Sequence, residues 1–203
     1  MASNELNNAE AVLAGRREDA RLLAECRAGS QDAFRRLIER YQDMVVNLAA
    51  RMTGSLEDAE DIAQEVFLKA CQGLAEFKGE SSLKTWLYRI TANAAISHGR
   101  RKQARPRTVS LDDGGNGHGG LEPAGGEGPA AGVEVRERER LVQNAILALE
   151  ADLRAVVLLR DMEGYRYEAI AETLGVEVGT VKSRLFRARE SLRKALAGKI
   201  GSF

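Results

Sequence analysis

The chain has 203 residues, of which 44% are hydrophobic, 5% aromatic and 30% charged. Lysine plus arginine balance aspartate plus glutamate at 30 each, a total that would argue against a nucleic-acid partner if the charges were not segregated along the chain. So few aromatics beside so many charges disfavour a sheet with large aromatic faces and favour charged helices. No apolar run approaches the roughly 20 residues of a membrane span.

Met1 to Asp19 is polar and mixed in charge, so it is not a secretory signal, and residues 1–18 read as a flexible tail. The first block, residues 19–104, opens with Phe34, Leu37, Ile38, Tyr41, Val45 and Leu48 at three- and four-residue steps, the spacing of one helical face. Gly54-Ser55 breaks that helix. Glu57-Asp58 then open a second, where acidic groups suit the positive end of the helix dipole. Its buried face carries Ile62, Val66, Phe67 and Ala70. Gly73 and Gly79 bracket a loop ending at Ser81-Ser82, which cap a third helix with Leu83, Trp86, Leu87, Ile90 and Ala94 on one face.

Residues 105–133 hold all three prolines (Pro106, Pro123, Pro129) and nine of the twenty glycines. Such a stretch buries too little apolar surface to offset the entropy of ordering it, and it reads as a flexible linker. The second block, residues 134–203, carries four helical segments: Leu141 to Leu149, Leu153 to Met162, Tyr167 to Leu174 and Val178 to Leu196. The fold expected is therefore all-α, two small helical domains joined by the linker.

Charge is distributed with purpose. From Ser81 to Leu111 there are seven basic residues and no acid; from Val178 to Phe203 there are seven more against the single Glu190. Two basic surfaces, one per domain, are the electrostatic footprint of a chain that touches nucleic acid at two places. Between Glu57 and Glu65 lie five acids and no base, so that helix should repel DNA and suit a basic protein face. Any one such run read alone is a solvated helix face; three with alternating sign argue for partners.

The segment Tyr167 to Val181 places Ala171, Gly175 and Val181 at the offsets of a helix-turn-helix. Ala171 permits a close crossing, Gly175 can take the left-handed turn conformation, and Val181 plugs the second helix into the core beside Leu185, Ala188, Leu192 and Leu196. Ser183, Phe186 and Arg187, flanked by Lys182 and Arg184, are left to face a major groove.

At this point the motifs resemble a family. Gly179-Thr-Val-Lys-Ser-Arg-Leu-Phe-Arg-Ala-Arg189, preceded by Arg160-Asp-Met-Glu-Gly164 and Tyr167-Glu-Ala-Ile-Ala171, resembles region 4 of the extracytoplasmic-function sigma factors of the sigma-70 family. Asp58-Ala-Glu-Asp-Ile-Ala-Gln-Glu-Val-Phe67 resembles the polymerase-binding segment of their region 2. Phe77-Lys-Gly-Glu-Ser81, Thr85-Trp-Leu-Tyr-Arg-Ile90 and Asn93 resemble its promoter-melting segment. A LuxR-like regulator could share the C-terminal motif but not the N-terminal ones. Two departures stand out: the family often has an acidic or amide residue where this chain has Ser97, and a proline where it has Glu177.

The resemblance implies that Asp58, Asp61, Gln64 and Glu65 dock on the clamp coiled coil of core RNA polymerase, with the flap as a further contact. It implies that Phe77, Lys84, Trp86, Arg89, Asn93, Arg100 and Arg101 bind the −10 element, Phe77 and Asn93 lining a pocket for a flipped base. Trp86 also lies on the apolar stripe, which favours a core role. Arg160, Thr180, Lys182, Ser183, Arg184, Phe186 and Arg187 would contact the −35 element, Arg160 through phosphate. The family also implies an anti-sigma partner and a cytoplasmic protein, nucleoid-associated when active and held at the inner membrane when that partner is membrane-bound.

The other function classes are a stand-alone helix-turn-helix regulator, which leaves the acidic helix without a role, and an enzyme. The chain shows no paired histidine–cysteine or histidine–carboxylate pattern, no phosphate loop and no metal spacing, so neither catalysis nor a cofactor is expected. His98 reads as a surface residue, and Cys26 and Cys71, with no CxxC spacing, as reduced structural thiols.

Overall fold

The computed structural model describes the backbone of residues 2–104 and 129–197. Most of the expected linker, with Pro106, Pro123, Arg105, Arg107 and His118, lies outside the described residues, as does Lys199. Among those described the chain is helical, without strands: α1 (Ala2–Arg27), α2 (Gln31–Thr53), α3 (Leu56–Gly73), α4 (Leu83–Ala104), α5 (Pro129–Leu147), α6 (Ala151–Val157) running into a π-helical turn (Leu158–Met162), α7 (Tyr167–Leu174) and α8 (Val178–Leu196).

In the first block α2, α3 and α4 pack mutually, with α1 laid on α2. The apolar stripe of α2 is buried as its spacing predicts: Leu37 and Val45 are fully enclosed, with Tyr41 and Leu48 beside them. Ile62 and Val66 of α3 and Leu87 of α4 complete the centre, each side chain contributing about 1.5–3 kcal/mol through burial. Short polar side chains start the helices by accepting orphan amide protons. Ser30 caps α2 through the Ala33 amide, Ser55 caps α3 through Asp58, and Ser82 caps α4 through Thr85. Gly54 takes φ +77°, which a residue with a Cβ adopts only under strain, and a Cβ there would also push on the Leu147 methyl at 2.8 Å.

The N-terminal segment differs from expectation. Residues 2–27 form α1 rather than a flexible tail. Its apolar pattern is short, with Leu22 buried and Leu23 and Cys26 packed on the core near its end, and ion pairs and one phenol tie the helix to α2. Arg40 bridges Glu18 at 2.8 Å and Asp19 at 3.1 Å, and Tyr41 donates to Asp19 at 2.8 Å. Burial and the Asp19 carboxylate together push the Tyr41 phenol up to about 12. Arg27, in the last turn, donates to the carbonyls of Leu74 and Phe77 and so holds the loop after α3.

In the second block α8 packs against α5, α6 and α7. α5 begins at Pro129, so the last residues assigned to the linker are helical. Proline suits a first helical position because the amide it lacks would be unpaired there. α7 and α8 match the sequence segments residue for residue, and Gly175 between them has φ +64°, the left-handed turn the motif needs. Glu177 sits at the N-cap of α8 with φ −68° and ψ 149° but makes no side-chain cap bond. Glu177→Asp should shorten the side chain into capping range while keeping the favourable charge. A gain of about 0.5–1 kcal/mol is expected, checked by the urea midpoint.

The blocks are not separate. α4 contacts α6 and α7, and α2 contacts α5 and α6. Leu87, Ile146, Leu158 and Ile170 belong to one continuous apolar cluster.

Candidate polymerase and nucleic-acid interfaces

The acidic helix α3 buries Ala59, Ile62, Ala63 and Val66 and turns its charges outward. The four residues expected to bind polymerase divide into two pairs. Asp61 and Gln64 are exposed. Asp58 and Glu65 already have intramolecular partners on the basic end of α4: Lys102 lies 2.8 Å and His98 3.2 Å from Asp58, while Arg101 lies 3.3 Å from Glu65. Lys69, one turn along α3, also pairs with Glu65 at 2.6 Å. Burial raises the Asp58 carboxyl, but Lys102 and His98 outweigh it and hold the group below its ordinary value. Glu65 is lowered chiefly by Lys69, with Arg101 adding to the effect.

Because both carboxyls are lowered in the folded chain, the stability they contribute is complete above the usual carboxylate range near about 4. It is lost as pH falls through the lowered values. Lys102→Met should therefore flatten the acid limb of urea stability between about pH 5 and 3, by up to about 1 kcal/mol. An unchanged limb would remove the Lys102–Asp58 pair from the account.

The −10 residues lie on α4 and the loop before it. Lys84, Arg89 and Asn93 are exposed. Phe77 is not: it is 7% exposed and packs on the half-buried Trp86 with ring centroids 5.0 Å apart. In this conformation Phe77 is a core residue, so the pocket read from the sequence is closed by its own wall. Trp86 takes the core position its place on the stripe favours. Arg100 and Arg101 are exposed yet paired, Arg100 with Asp152 at 3.0 Å and Arg101 with Glu65. Such exposed pairs are worth roughly 0–1 kcal/mol each, little enough for phosphates to displace them. His98, read as a surface residue, is half-buried against Asp58.

The −35 residues lie mostly on α8. Val181, Leu185 and Ala188 fasten it to the core, leaving Lys182, Ser183 and Arg187 outside it and Phe186 73% exposed. An apolar ring standing that far into solvent has no packing role within the chain, whereas base edges offer it methyl contacts. Thr180 is half-buried, and its carbonyl accepts from Ser183. Arg184 is half-buried, 3.7 Å from Asp152. Arg160, expected to meet phosphate, is half-buried: it donates to the Tyr165 carbonyl at 2.8 Å and lies 4.9 Å over the Tyr167 ring.

Sequence reasoning missed two residues that organise these surfaces. Arg154 carries a half-buried guanidinium that gathers the carbonyls of Ile146, Leu147 and Leu149 and reaches across to Met52 at the end of α2. Asp152 faces both Arg100 and Arg184. Neither sits in a motif, and only the tertiary fold brings their partners together. Both cysteines are free, Cys26 half-buried and Cys71 exposed. Among the described residues no cluster of three His, Cys, Asp or Glu could hold a metal, and no helix is long and apolar enough to cross a membrane.

Known proteins share both halves of this arrangement. Residues 37–105 match Sigma-70 region 2 and residues 139–192 match Sigma-70, region 4. The RNA polymerase sigma-H factor of Pseudomonas aeruginosa is 38% identical over 181 residues, 88% of this chain and 94% of that protein. The ECF RNA polymerase sigma-E factor of Haemophilus influenzae is 37% identical over 180 residues, 88% of this chain and 95% of that protein. Among solved structures, the sigma factor RpoE in complex with the anti-sigma factor NepR from Bartonella quintana aligns with a TM-score of 0.61 at 27% identity. That match covers 84% of this chain and 100% of that one. CnrH, solved with the cytosolic domain of CnrY, shares the fold at a TM-score of 0.61 and 24% identity, over 90% of this chain and 99% of that one. With two region matches in order along the chain and full-length relatives of this identity, the protein belongs to the extracytoplasmic-function branch of the sigma-70 family, the transcription initiation factors of bacterial RNA polymerase.

Proposed function

We propose that this sigma factor docks on a basic face of core RNA polymerase through α3, led by Asp61 and Gln64, and reads promoter DNA at two separate places. α8 presents Lys182, Ser183, Phe186 and Arg187 to the −35 major groove, with Arg184 and Thr180 at its edge and Arg160 bracing the turn. α4 presents Lys84, Arg89, Asn93, Arg100 and Arg101 to the −10 element, and Phe77 and Trp86 form an aromatic wall that has to open before a flipped base can stack there. The observation that carries this reading is the division of exposed charge: acids of α3 such as Glu57, Glu60 and Asp61 exposed for a protein, and two basic faces on different helices for DNA.

The work of such a chain is binding and positioning, not catalysis, and its place is the cytoplasm, on the nucleoid when active. The relative solved with NepR is an anti-sigma complex, and a similar partner here would cover the same charged surfaces. When that inhibitor is membrane-bound, the chain would wait at the inner membrane.

The test compares DNA binding by the free chain and by the chain mixed with core polymerase, on genomic promoter fragments in a mobility-shift assay. Specific retention only with polymerase present supports the reading. Equally tight and specific binding by the free chain would favour a stand-alone helix-turn-helix regulator.

A further inference from the structure

Away from the DNA-facing surfaces, a groove of about 280 Å³ runs between the end of α1 and the end of α3, and both cysteines of the chain line it. Phe34 and Leu74 supply its apolar walls. Cys26 sits half-buried at the edge of the core, and Cys71 is exposed. The two helix ends are held together across the groove. Arg27, next to Cys26, donates to the carbonyl of Leu74, three residues past Cys71, at 3.1 Å, and also to the Phe77 carbonyl. Glu25, on the other side of Cys26, pairs with Arg36 and fastens the same turn of α1 to α2. The thiols are near enough to act on one another: burial pushes the Cys26 thiol up, and Cys71 adds to the effect.

Cys71 also has a place on the surface of α3. Gln64, Leu68 and Cys71 follow at steps of four and three, so they share a helical face, and Asp61 lies one turn before them. All four are exposed; Leu68, at 65%, packs against nothing in the chain that would hide it. One thiol of the pair therefore stands on the proposed docking face and the other on a different helix.

We infer that Cys26 and Cys71 are an oxidant-sensitive pair, joined by hydrogen peroxide into a disulfide across the groove, and that the joined chain docks more weakly on polymerase. The effect on docking rests on the proposed reading of α3. In a reducing compartment both groups stay thiols. The exposed Cys71 meets peroxide first. Its sulfur takes one oxygen as the O–O bond breaks, giving a sulfenic acid and one water. The Cys26 sulfur then forms the S–S bond, the S–O bond breaks, and the hydroxyl leaves with the Cys26 proton as a second water. Two thiols lose two electrons and two protons, and the peroxide gains them. A disulfide holds its Cα atoms roughly 4.4–6.8 Å apart, so the bond closes the groove. It turns Cys71 toward α1 and shifts Leu68, one turn before it, on the docking face.

The test treats the full chain with hydrogen peroxide, blocks the remaining thiols and maps the tryptic peptides by mass spectrometry. A Cys26–Cys71 linked peptide is expected in monomeric protein, lost with dithiothreitol and absent from Cys26→Ala. Should that variant lose its helical circular dichroism, Cys26→Ser takes its place. Affinity for core polymerase should fall roughly ten-fold on oxidation, a common size for coupling between two sites. It should recover with dithiothreitol and stay unchanged in the peroxide-treated Cys26 variant. Sulfenic or intermolecular products with no internal link overturn the thiol pair, and a mapped link with unchanged affinity overturns its effect on docking. Failure of the reduced wild type to bind polymerase would instead sink the docking reading, while the peptide map still decides whether the thiols pair.

Discussion

Asp61→Arg should lower affinity for core RNA polymerase by roughly 100-fold or more while leaving the fold intact, since like-charge juxtaposition at an interface costs several kcal/mol. The site is exposed on α3 with no ion pair among the described residues, and surface substitutions away from packing usually change stability by no more than about 0.5 kcal/mol. Reversing its charge against a basic partner turns an attraction into a repulsion. Asp58→Ala supplies the contrast. Asp58 is half-buried and already engaged by Lys102 and His98, so its loss should weaken polymerase binding much less and act mainly by freeing the end of α4. Co-purification of each variant with core polymerase, alongside circular dichroism, separates the two effects. Normal polymerase binding by Asp61→Arg would remove α3 as the docking surface.

Arg154→Ala should cost roughly 3 kcal/mol of stability and lower the thermal midpoint by roughly 6 to 12 °C. The last carbonyls of a helix have no partner within it, and here one guanidinium serves the ends of two helices. It takes Ile146 and Leu147 from the end of α5, Leu149 just beyond, and Met52 from the last turn of α2. Burial lowers its pKa, yet no carboxylate accompanies it among the described residues, so the carbonyl dipoles do the solvating. A guanidinium presents five donors in a plane, and an ammonium cannot span the same acceptors. Arg154→Lys should therefore recover only a minor part of the loss. Full recovery by lysine would mean that charge near the helix ends, rather than the fork geometry, stabilises the junction.

Local rules carried much of the fold into view. The steps of α2, the break at Gly54, the serine before α4 and the turn at Gly175 each depend on a few adjacent residues, and the structure places all of them as read. α1 escapes such rules because its apolar contacts are confined to Leu22, Leu23 and Cys26 near its end and its other ties run to Arg40 and Tyr41, 22 residues from their partners Glu18 and Asp19. The pairing of Asp58 with Lys102 spans 44 residues; no window along the chain shows that a helix rich in acid is half neutralised by the end of the next helix. Phe77 illustrates a different limit. A motif position tells which residue meets a base in the working complex, whereas hydrophobicity decides where that ring rests when no base is present.

The relation of the two regions had no sequence signal. A glycine-rich linker is compatible with any arrangement of the domains it joins. What brings them together is an apolar cluster shared by both blocks, with Leu87 beside Ile146, Leu158 and Ile170, and single contacts from Asn93 to Thr173, Tyr88 to Glu163 and Arg100 to Asp152; no periodicity says which of these residues meet.

The central claim is that this chain confers promoter specificity on core polymerase, and in vitro run-off transcription tests it most directly. Core bacterial RNA polymerase, the purified protein and a pool of genomic promoter fragments are combined, and the products are sequenced. The account predicts discrete start sites that appear only when the protein is added, with two shared upstream elements at a constant separation. Transcripts that are identical with and without the protein, although it is folded and polymerase is active, would contradict it.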